Sequence, residues 1–147
     1  MSDPLLVDDH LLLRLLLDDE PPSLRPRGAE LFTTGLWYHR LCRALSNPTV
    51  IGALSSRLNA VAGNVASEAI VSVTELPDSI GLLSLRTLGW PMAKLVSAGA
   101  RLNLLSLEAL AAATHLQAEI CLAPADHNRP LHQHAAQHNL PVRVIAD

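Results

Sequence analysis

The chain has 147 residues, a length typical of one domain with a substantial core, and we predict a single domain over residues 1–147. Apolar residues make up 49% and charged residues 17%, but every aliphatic run falls far short of the roughly 20 residues that span a bilayer, so no transmembrane helix is expected. The formal net charge of −3 gives no overall attraction to nucleic acid, so RNA binding would need a local cluster of arginines.

The first ten residues, "MSDPLLVDDH", have no basic region before their apolar run, and acid interrupts that run before any small-residue cleavage site. We therefore expect a cytoplasmic protein without a secretory signal. Only Cys42 and Cys121 are present, and they lack CxxC or CxxxC spacing. This pattern argues against a disulfide framework or a structural zinc site and favours two small, inert core residues.

Two acidic residues stand between the first two predicted elements. "LLV" at 5–7 is short, apolar and preceded by proline, which is typical of a buried strand, whereas "HLLLRLLL" consists of strong helix formers. Asp8 or Asp9 can cap this helix, because an aspartate oxygen accepts the unpaired amides of a first helical turn. A residue at the end of a strand can equally bind a metal, and the sequence leaves both interpretations open for Asp8.

Proline and glycine separate the next elements. Residues 18–28, "DDEPPSLRPRG", predict an exposed loop, and "TTGLWYHRLCRALSNP" predicts a helix over 36–46 that hydroxyl residues cap and Asn47-Pro48 ends. "TVIGALSSRLNAVAG" predicts a helix ended by Gly63, and "AIVSVTEL", with Ile70, Val71 and Val73, predicts a strand.

From Pro77 the pattern indicates helix again, at Leu82, Leu83 and Leu85, with a break at Gly89-Trp90-Pro91 and a further run over 92–100. The last third predicts a helix in "SLEALAAATHLQA", a strand in "EICLA", a helix in "NRPLHQHAAQHN" and a strand in "PVRVIA". This alternation favours an α/β fold, a mainly parallel sheet covered by helices.

Acidic residues follow two of the predicted strands. In an open parallel sheet, ligand sites form beyond the carboxyl ends of the strands, and Asp8 and Asp126 both occupy such ends. Glu108 lies in the first turn of the intervening helix, so three carboxylates are expected at one edge. Clustered carboxylates repel one another unless a cation screens them, and Mg²⁺ prefers such oxygen ligands. A bound Mg²⁺ activates water and stabilises developing phosphoryl charge.

Both ends of the chain resemble a known family. "LLVDDHLLLRLLL" looks like the opening strand, aspartate and helix of PIN domains, and "LSLEALAAATHLQAEICLAPADHNRPLHQHAAQHNLPVRVI" looks like their closing helix, strand, helix and strand. The resemblance implies a three-layer α/β/α sandwich and an Mg²⁺- or Mn²⁺-dependent ribonuclease, as in the VapC-type toxins of toxin–antitoxin pairs. It covers roughly residues 4–20 and 102–146.

The resemblance also implies which residues would form the catalytic metal site. The first family aspartate falls on Asp8, with Asp9 as a register alternative, and the later acidic positions fall on Glu108 and Asp126. The chain departs from the family at three points: Glu108 stands where aspartate is usual, "APAD" lacks the threonine two before its aspartate, and a helical glutamate is replaced by His39 or Arg40. An arginine at that position would oppose metal binding.

Other side chains have weaker functional interpretations. Arg40 and Arg43, beside Trp37 and Tyr38, are candidates for RNA contact by charge and stacking, although aromatic residues on a helix usually pack in the core. The helix that begins after Asn128 is rich in histidine, which suggests zinc, but an exposed polar face explains the same pattern; these residues are His127, His132, His134 and His138.

Three functional hypotheses follow. The first is an Mg²⁺-dependent ribonuclease with Asp8, Glu108 and Asp126 as catalytic and metal-binding residues and an antitoxin-like protein partner. The second is a catalytically silent PIN-like protein in which the leucine-rich helices 11–17 and 36–45 support a homodimer or a partner interface; the arginine at position 40 favours it. The third is a small metal-independent regulator.

Overall fold

The computed structural model describes residues 3–25, 28–46 and 71–147. The elements run β1 (Leu5–Val7), α1 (Asp9–Leu16), β2 (Leu31–Thr34), α2 (Gly35–Ser46), β3 (Ile80–Leu83), α3 (Leu85–Ser97), α4 (Leu104–Leu116), β4 (Glu119–Leu122), a 3₁₀ turn (Pro124–Asp126), α5 (Arg129–Gln137) and β5 (Val142–Val144).

The five strands form one parallel sheet in the order β3-β2-β1-β4-β5. β1 lies at the centre, pairing with β2 on one side and with β4 on the other. The strands that follow β1 in the chain, β2 and β3, lie on one side of it, and β4 and β5 lie on the other side. The strand order therefore reverses between β1 and β4. A crevice forms where strand order reverses in this way, and it opens at the carboxyl ends of the two strands.

Helices cover both faces of the sheet. Leu6 of β1 lies in one core cluster with α3, α4 and α5, whereas Leu5 and Val7 lie in a second cluster with α1 and the inner face of α2. Because side chains alternate along a strand, a strand buried on both faces is apolar throughout, as "LLV" is. The predicted three-layer α/β/α sandwich with a parallel sheet is confirmed.

The most buried helix is α4, in which residues 106–113 are all buried. Its short alanines let the helix lie close to the sheet and to α3 and α5, and the stretch is apolar on almost every side. The one carboxylate within it, Glu108, is therefore enclosed.

Most elements at the two chain ends agree with the sequence prediction, including β1, α1, α2, α4, β4, α5 and β5. The helix expected to end at Gly63 lies outside the described residues. The strand expected around Val71 and Val73 is wrong, since residues 71–74 are helical.

The leucines at 82 and 83 belong to a strand, not a helix, and β2 was not predicted at all. The break at Gly89-Trp90-Pro91 is also wrong, because α3 continues through it. Leu88 and Met92, one turn apart, are buried in the core and hold this weak helical segment in place.

The described part of the predicted loop, residues 18–25 and 28, is only partly exposed. Pro21 and Leu24 are buried, and the Arg143 guanidinium donates to the backbone carbonyls of Ser23 and Leu24. Cys121 is buried as expected, and Cys42 is half-buried. Among the described residues, none of the helices has the length and apolar character needed to cross a membrane.

Candidate functional site

Asp8 lies at the reversal point of the sheet, directly after β1, and is completely buried. One carboxyl oxygen accepts the Leu11 amide at 2.9 Å and so caps α1. The other accepts the Ala123 amide at 2.8 Å, just beyond β4. Asp8 therefore ties the start of α1 to the end of β4, which makes the capping interpretation correct and gives both oxygens a backbone partner.

Asp8 and Asp126 meet as a pair of carboxyl groups at this edge. Burial and a hydrogen bond with Asp126 raise the pKa of Asp8 to about 8, against the opposing effect of its two amide donors. Burial would also raise the pKa of Asp126, but the hydrogen bond from Asp8 and the positive charge of Arg40 outweigh it, so the pKa of Asp126 is lowered. At neutral pH, Asp8 holds the proton and Asp126 carries the charge.

Arg40 of α2 supplies the cation for this edge. Its Nε donates to Asp9 Oδ2 at 2.8 Å, and one terminal nitrogen donates to Asp9 Oδ1 at 2.5 Å and to Asp126 Oδ2 at 2.6 Å. The Asp9 side chain is 8% exposed and that of Asp126 17%, so the two carboxylates are largely shielded from water, whereas the Arg40 side chain is 34% exposed. The Asp9 hydrogen bond, more than offsetting burial, raises the pKa of Arg40. The guanidinium thus joins α1, α2 and the 3₁₀ turn.

Glu108 of α4 contacts the N-terminus of α2. It is 1% exposed, and its Oε1 accepts the Leu36 amide at 2.8 Å, in the first turn of α2. A buried carboxylate at a helix N-terminus is stabilised by the amide hydrogen bond and by the helix dipole. Glu108 Oε1 is thus engaged with α2, and the shared cation site predicted for Asp8, Glu108 and Asp126 stays a prediction.

The donor atoms that do lie together are those of Asp9, His10 and Asp126. They fall within 4.8 Å of one another, and this is the one such group of three in the described ranges 3–25, 28–46 and 71–147. Asp9 was expected only as a register alternative to Asp8, and His10 was not singled out. The sequence signal for Asp9 and His10 is their position directly after the first predicted strand, because the first turn of α1 has to face the same crevice as Asp8.

These residues do not fit a divalent ion as they stand. Both oxygens of Asp9 and one of Asp126 already accept from Arg40, and both oxygens of Asp8 accept from backbone amides. Mg²⁺ needs several oxygen ligands and keeps its waters, so it would have to displace the guanidinium. Arg40 is the side chain that occupies these carboxylate oxygens.

A mainly apolar cleft of about 480 Å³ adjoins the acidic edge. Asp9, His10 and Arg14 contribute polar groups to it. The remaining walls come from α1, the second half of α2, the segment after β4 and the last residues of the chain; these are Leu11, Leu13, Leu41, Ala44, Ala123, Pro124, Ala125, Ile145 and Ala146.

The candidate RNA-contact residues on α2 have separate environments. Arg40 is committed to Asp9 and Asp126, whereas Arg43 is exposed one turn further along. Trp37 is 3% exposed and packs in the core, and the Tyr38 hydroxyl donates to the Val73 carbonyl at 2.5 Å. Neither aromatic ring lies open for stacking on a base.

The histidines near α5 form no cluster of three donors within the part of the chain that the structure describes. The rings of His127 and His132 lie 5.0 Å apart, and burial together with the neighbouring His127 lowers the pKa of His132. His127 and His138 are exposed, His134 is half-exposed and His132 Nε2 is buried, so the exposed-face interpretation holds for His127 and His138 and only in part for the other two.

Neither protein-family models nor curated proteins match this chain. The resemblance of the two chain ends to PIN domains stays a prediction from the sequence.

Proposed function

We propose that this chain is a PIN-like domain that acts by binding a partner protein, and that Arg40 occupies the place where a nuclease of this kind would hold its metal ion. The observation that carries the proposal is the set of three hydrogen bonds from Arg40 to Asp9 and Asp126. A permanent guanidinium charge satisfies the two carboxylates without an exchangeable ion. The edge then serves as a structural link between α1, α2 and the 3₁₀ turn.

The electrostatics of the edge also favour a role other than RNA cleavage. RNA is a polyanion, and its binding requires arginines or lysines that are available to phosphate groups. Arg40 is occupied by carboxylates and Arg14 by Asp19 and by the Asp147 carbonyl, which leaves Arg43 as the exposed arginine of α2. The cleft beside the site is mainly apolar, and its polar groups come from Asp9, His10 and Arg14. Such a surface suits a protein segment better than a phosphate backbone.

An Mg²⁺-dependent ribonuclease of the toxin–antitoxin type is the second candidate. It is favoured by the proximity of the Asp9, His10 and Asp126 donor atoms, which lie within 4.8 Å of one another. This candidate requires Arg40 to leave its two carboxylates before any ion can bind.

Mn²⁺ titration followed by electron paramagnetic resonance separates the two. The native chain is compared with an Asp9→Asn, Asp126→Asn double variant, and a labelled single-stranded RNA is incubated with each in the presence of Mg²⁺. The proposal expects equal, negligible Mn²⁺ binding up to about 1 mM and no RNA cleavage by either protein. Tight Mn²⁺ binding by the native chain alone, together with cleavage that the double variant lacks, would establish the ribonuclease instead.

A further inference from the structure

The outer face of α3 carries an unusual set of exposed residues for a water-facing helix. Leu85, Trp90 and Val96 are 57%, 75% and 55% exposed. Gly89 and Ala93 are also exposed and lie between them. Residues three or four apart share a helix face, so Leu85, Gly89, Ala93 and Val96 form one continuous stripe with Trp90 beside it. We call these five residues the α3 outer face.

Gly89 is not explained by packing within the described residues. A glycine inside a helix costs about 1 kcal/mol relative to alanine. A Cβ added at Gly89 would meet nothing within 4 Å, so the described structure has room for a side chain there. A bare backbone in the middle of an apolar stripe lets another helix approach closely, as small residues do at close-packed helix pairs.

The charges around this face select the kind of partner. Residues 79–107 contain no aspartate or glutamate, although the whole chain has a net charge of −3. Arg86 and Lys94 lie four residues before and four after Trp90, on the same row of the helix surface. The two cations are therefore about 12 Å apart along the helix axis, at a rise of about 1.5 Å per residue.

We propose that the α3 outer face docks an acidic amphipathic helix of a partner protein, with large apolar side chains over Gly89 and Ala93 and carboxylates beside Arg86 and Lys94. The inference rests on the proposed function, because it names the class of partner that such a domain would bind. Apolar contact around Trp90 supplies affinity, and the two cations supply orientation.

A second copy of this chain fits the face less well. An antiparallel pairing of two α3 helices centred on Trp90 would place Arg86 of one copy against Lys94 of the other, and like charges in contact oppose association. An anionic membrane is also disfavoured, since two cations give only about 1 kcal/mol each and the chain as a whole is negative.

Binding can be measured with a synthetic 20-residue peptide that has leucines on one helical face and two glutamates eight positions apart. A matched peptide carries lysines in place of the glutamates. Exposed Trp90 reports through a blue shift of its fluorescence, and a Trp90→Phe variant gives the contribution of buried Trp37, which is subtracted. The variants Trp90→Ser and Gly89→Ala perturb the face, whereas Val71→Ser removes an exposed apolar side chain from a segment that packs towards the opposite side of the sheet.

The glutamate peptide is expected to bind at least about tenfold more tightly than the lysine peptide and to weaken as salt rises. Trp90→Ser, followed by anisotropy of a labelled peptide, should lose about tenfold in affinity, Gly89→Ala should bind several-fold more weakly, and Val71→Ser should bind as the native chain does.

Three results would overturn the inference: equal or absent binding of the two peptides, a blue shift with phosphatidylglycerol vesicles but not with the glutamate peptide, or a dimer in sedimentation that Trp90→Ser dissociates. The Mn²⁺ and RNA measurements are made on the same preparation. If the glutamate peptide does not bind and the chain neither binds Mn²⁺ nor cleaves RNA, the α3 outer face is rejected as a docking site and the proposed function is not. If the chain binds Mn²⁺ and cleaves RNA, the proposed function is the one rejected.

Discussion

Replacing Arg40 by glutamine tests the central feature of the site, the guanidinium that bridges Asp9 and Asp126. The substitution removes three charge-assisted hydrogen bonds and leaves two carboxylates close together with little access to water. Removing one partner of a buried ion pair costs about 3–5 kcal/mol. The Arg40 side chain is 34% exposed, so water screens part of this interaction and we expect a loss of about 2–3 kcal/mol in the free energy of unfolding.

A loss of this size should be plain in thermal unfolding. For a domain of this length, about 1 kcal/mol corresponds to about 3 °C, so Tm should fall by roughly 6–9 °C. Arg43→Gln is the matched control, because Arg43 is exposed and lies one turn further along the same helix. It should change Tm by less than about 2 °C.

Divalent ions sharpen this test. Once Arg40 is absent, Asp9 and Asp126 lack a counter-charge, and millimolar Mn²⁺ should recover part of the lost Tm in Arg40→Gln while leaving the native protein unchanged. If Arg40→Gln were as stable as the Arg43→Gln control and indifferent to Mn²⁺, the assignment of Arg40 as the cation of this edge would be refuted.

Three further predictions concern stability and are measured by urea or thermal unfolding. Glu108→Ala leaves the part-buried Leu36 amide without its acceptor and should lower the free energy of unfolding by about 2 kcal/mol, whereas Glu108→Gln, which keeps an acceptor but loses the charge, should lower it by about 1 kcal/mol; a Glu108→Gln variant as stable as the native chain would contradict the role of the charge. Gly89→Ala should raise stability by about 1 kcal/mol, since the added Cβ meets nothing within 4 Å, and a lower Tm would show that the helix is constrained in another way. The raised pKa of Asp8, about 8 against an ordinary 3.8, means that the folded chain holds a proton that the unfolded chain releases, so stability should fall by about 1 kcal/mol per pH unit as pH rises from 6.5 to 8, a range that starts at the ordinary histidine pKa of 6.5 and so lies above the lowered pKa of His132. Asp8→Asn should remove this slope, and an unchanged slope in that variant would assign it to another group.

The sequence predicted the fold class because the chain ends alternate clearly between strand and helix patterns. Short, mainly apolar strands such as "LLV" and "EICLA" lie beside helices with good formers, and proline or asparagine separates them. β2 and β3 were missed for a physical reason. "LFTT" contains hydroxyl residues that read as a helix cap, and Thr34 does accept the Trp37 amide although it also lies in the strand. "IGLL" is too short to separate from the leucine-rich helix that follows it.

The edge of the sheet that holds the candidate site could be predicted, but the hydrogen-bond partners of its side chains could not. Asp8 and Asp126 were placed at the same edge because parallel strands end on one side of a sheet. The direction of Glu108 depends on how α4 packs against α2, and the pairing of Asp9 with Arg40 depends on how α1 packs against α2. Such contacts between helices distant in sequence leave no local pattern, so only the arginine at position 40 hinted at them.

The central place of β1 has a consequence for how the chain comes together. β1 precedes β2 and β3 along the chain, yet its partner on one side is β4, and Asp8 and Ala123 stand 115 positions apart. β1, β2 and β3 can assemble first, and until β4 arrives this half-sheet exposes one flank of β1 as an apolar strand edge, the kind of surface that recruits other chains. Pairings across so long a separation slow folding. The hydrogen bond from the Ala123 amide to Asp8 requires β4 to be in place beside β1, so the candidate site is complete only when the central strand has both of its neighbours.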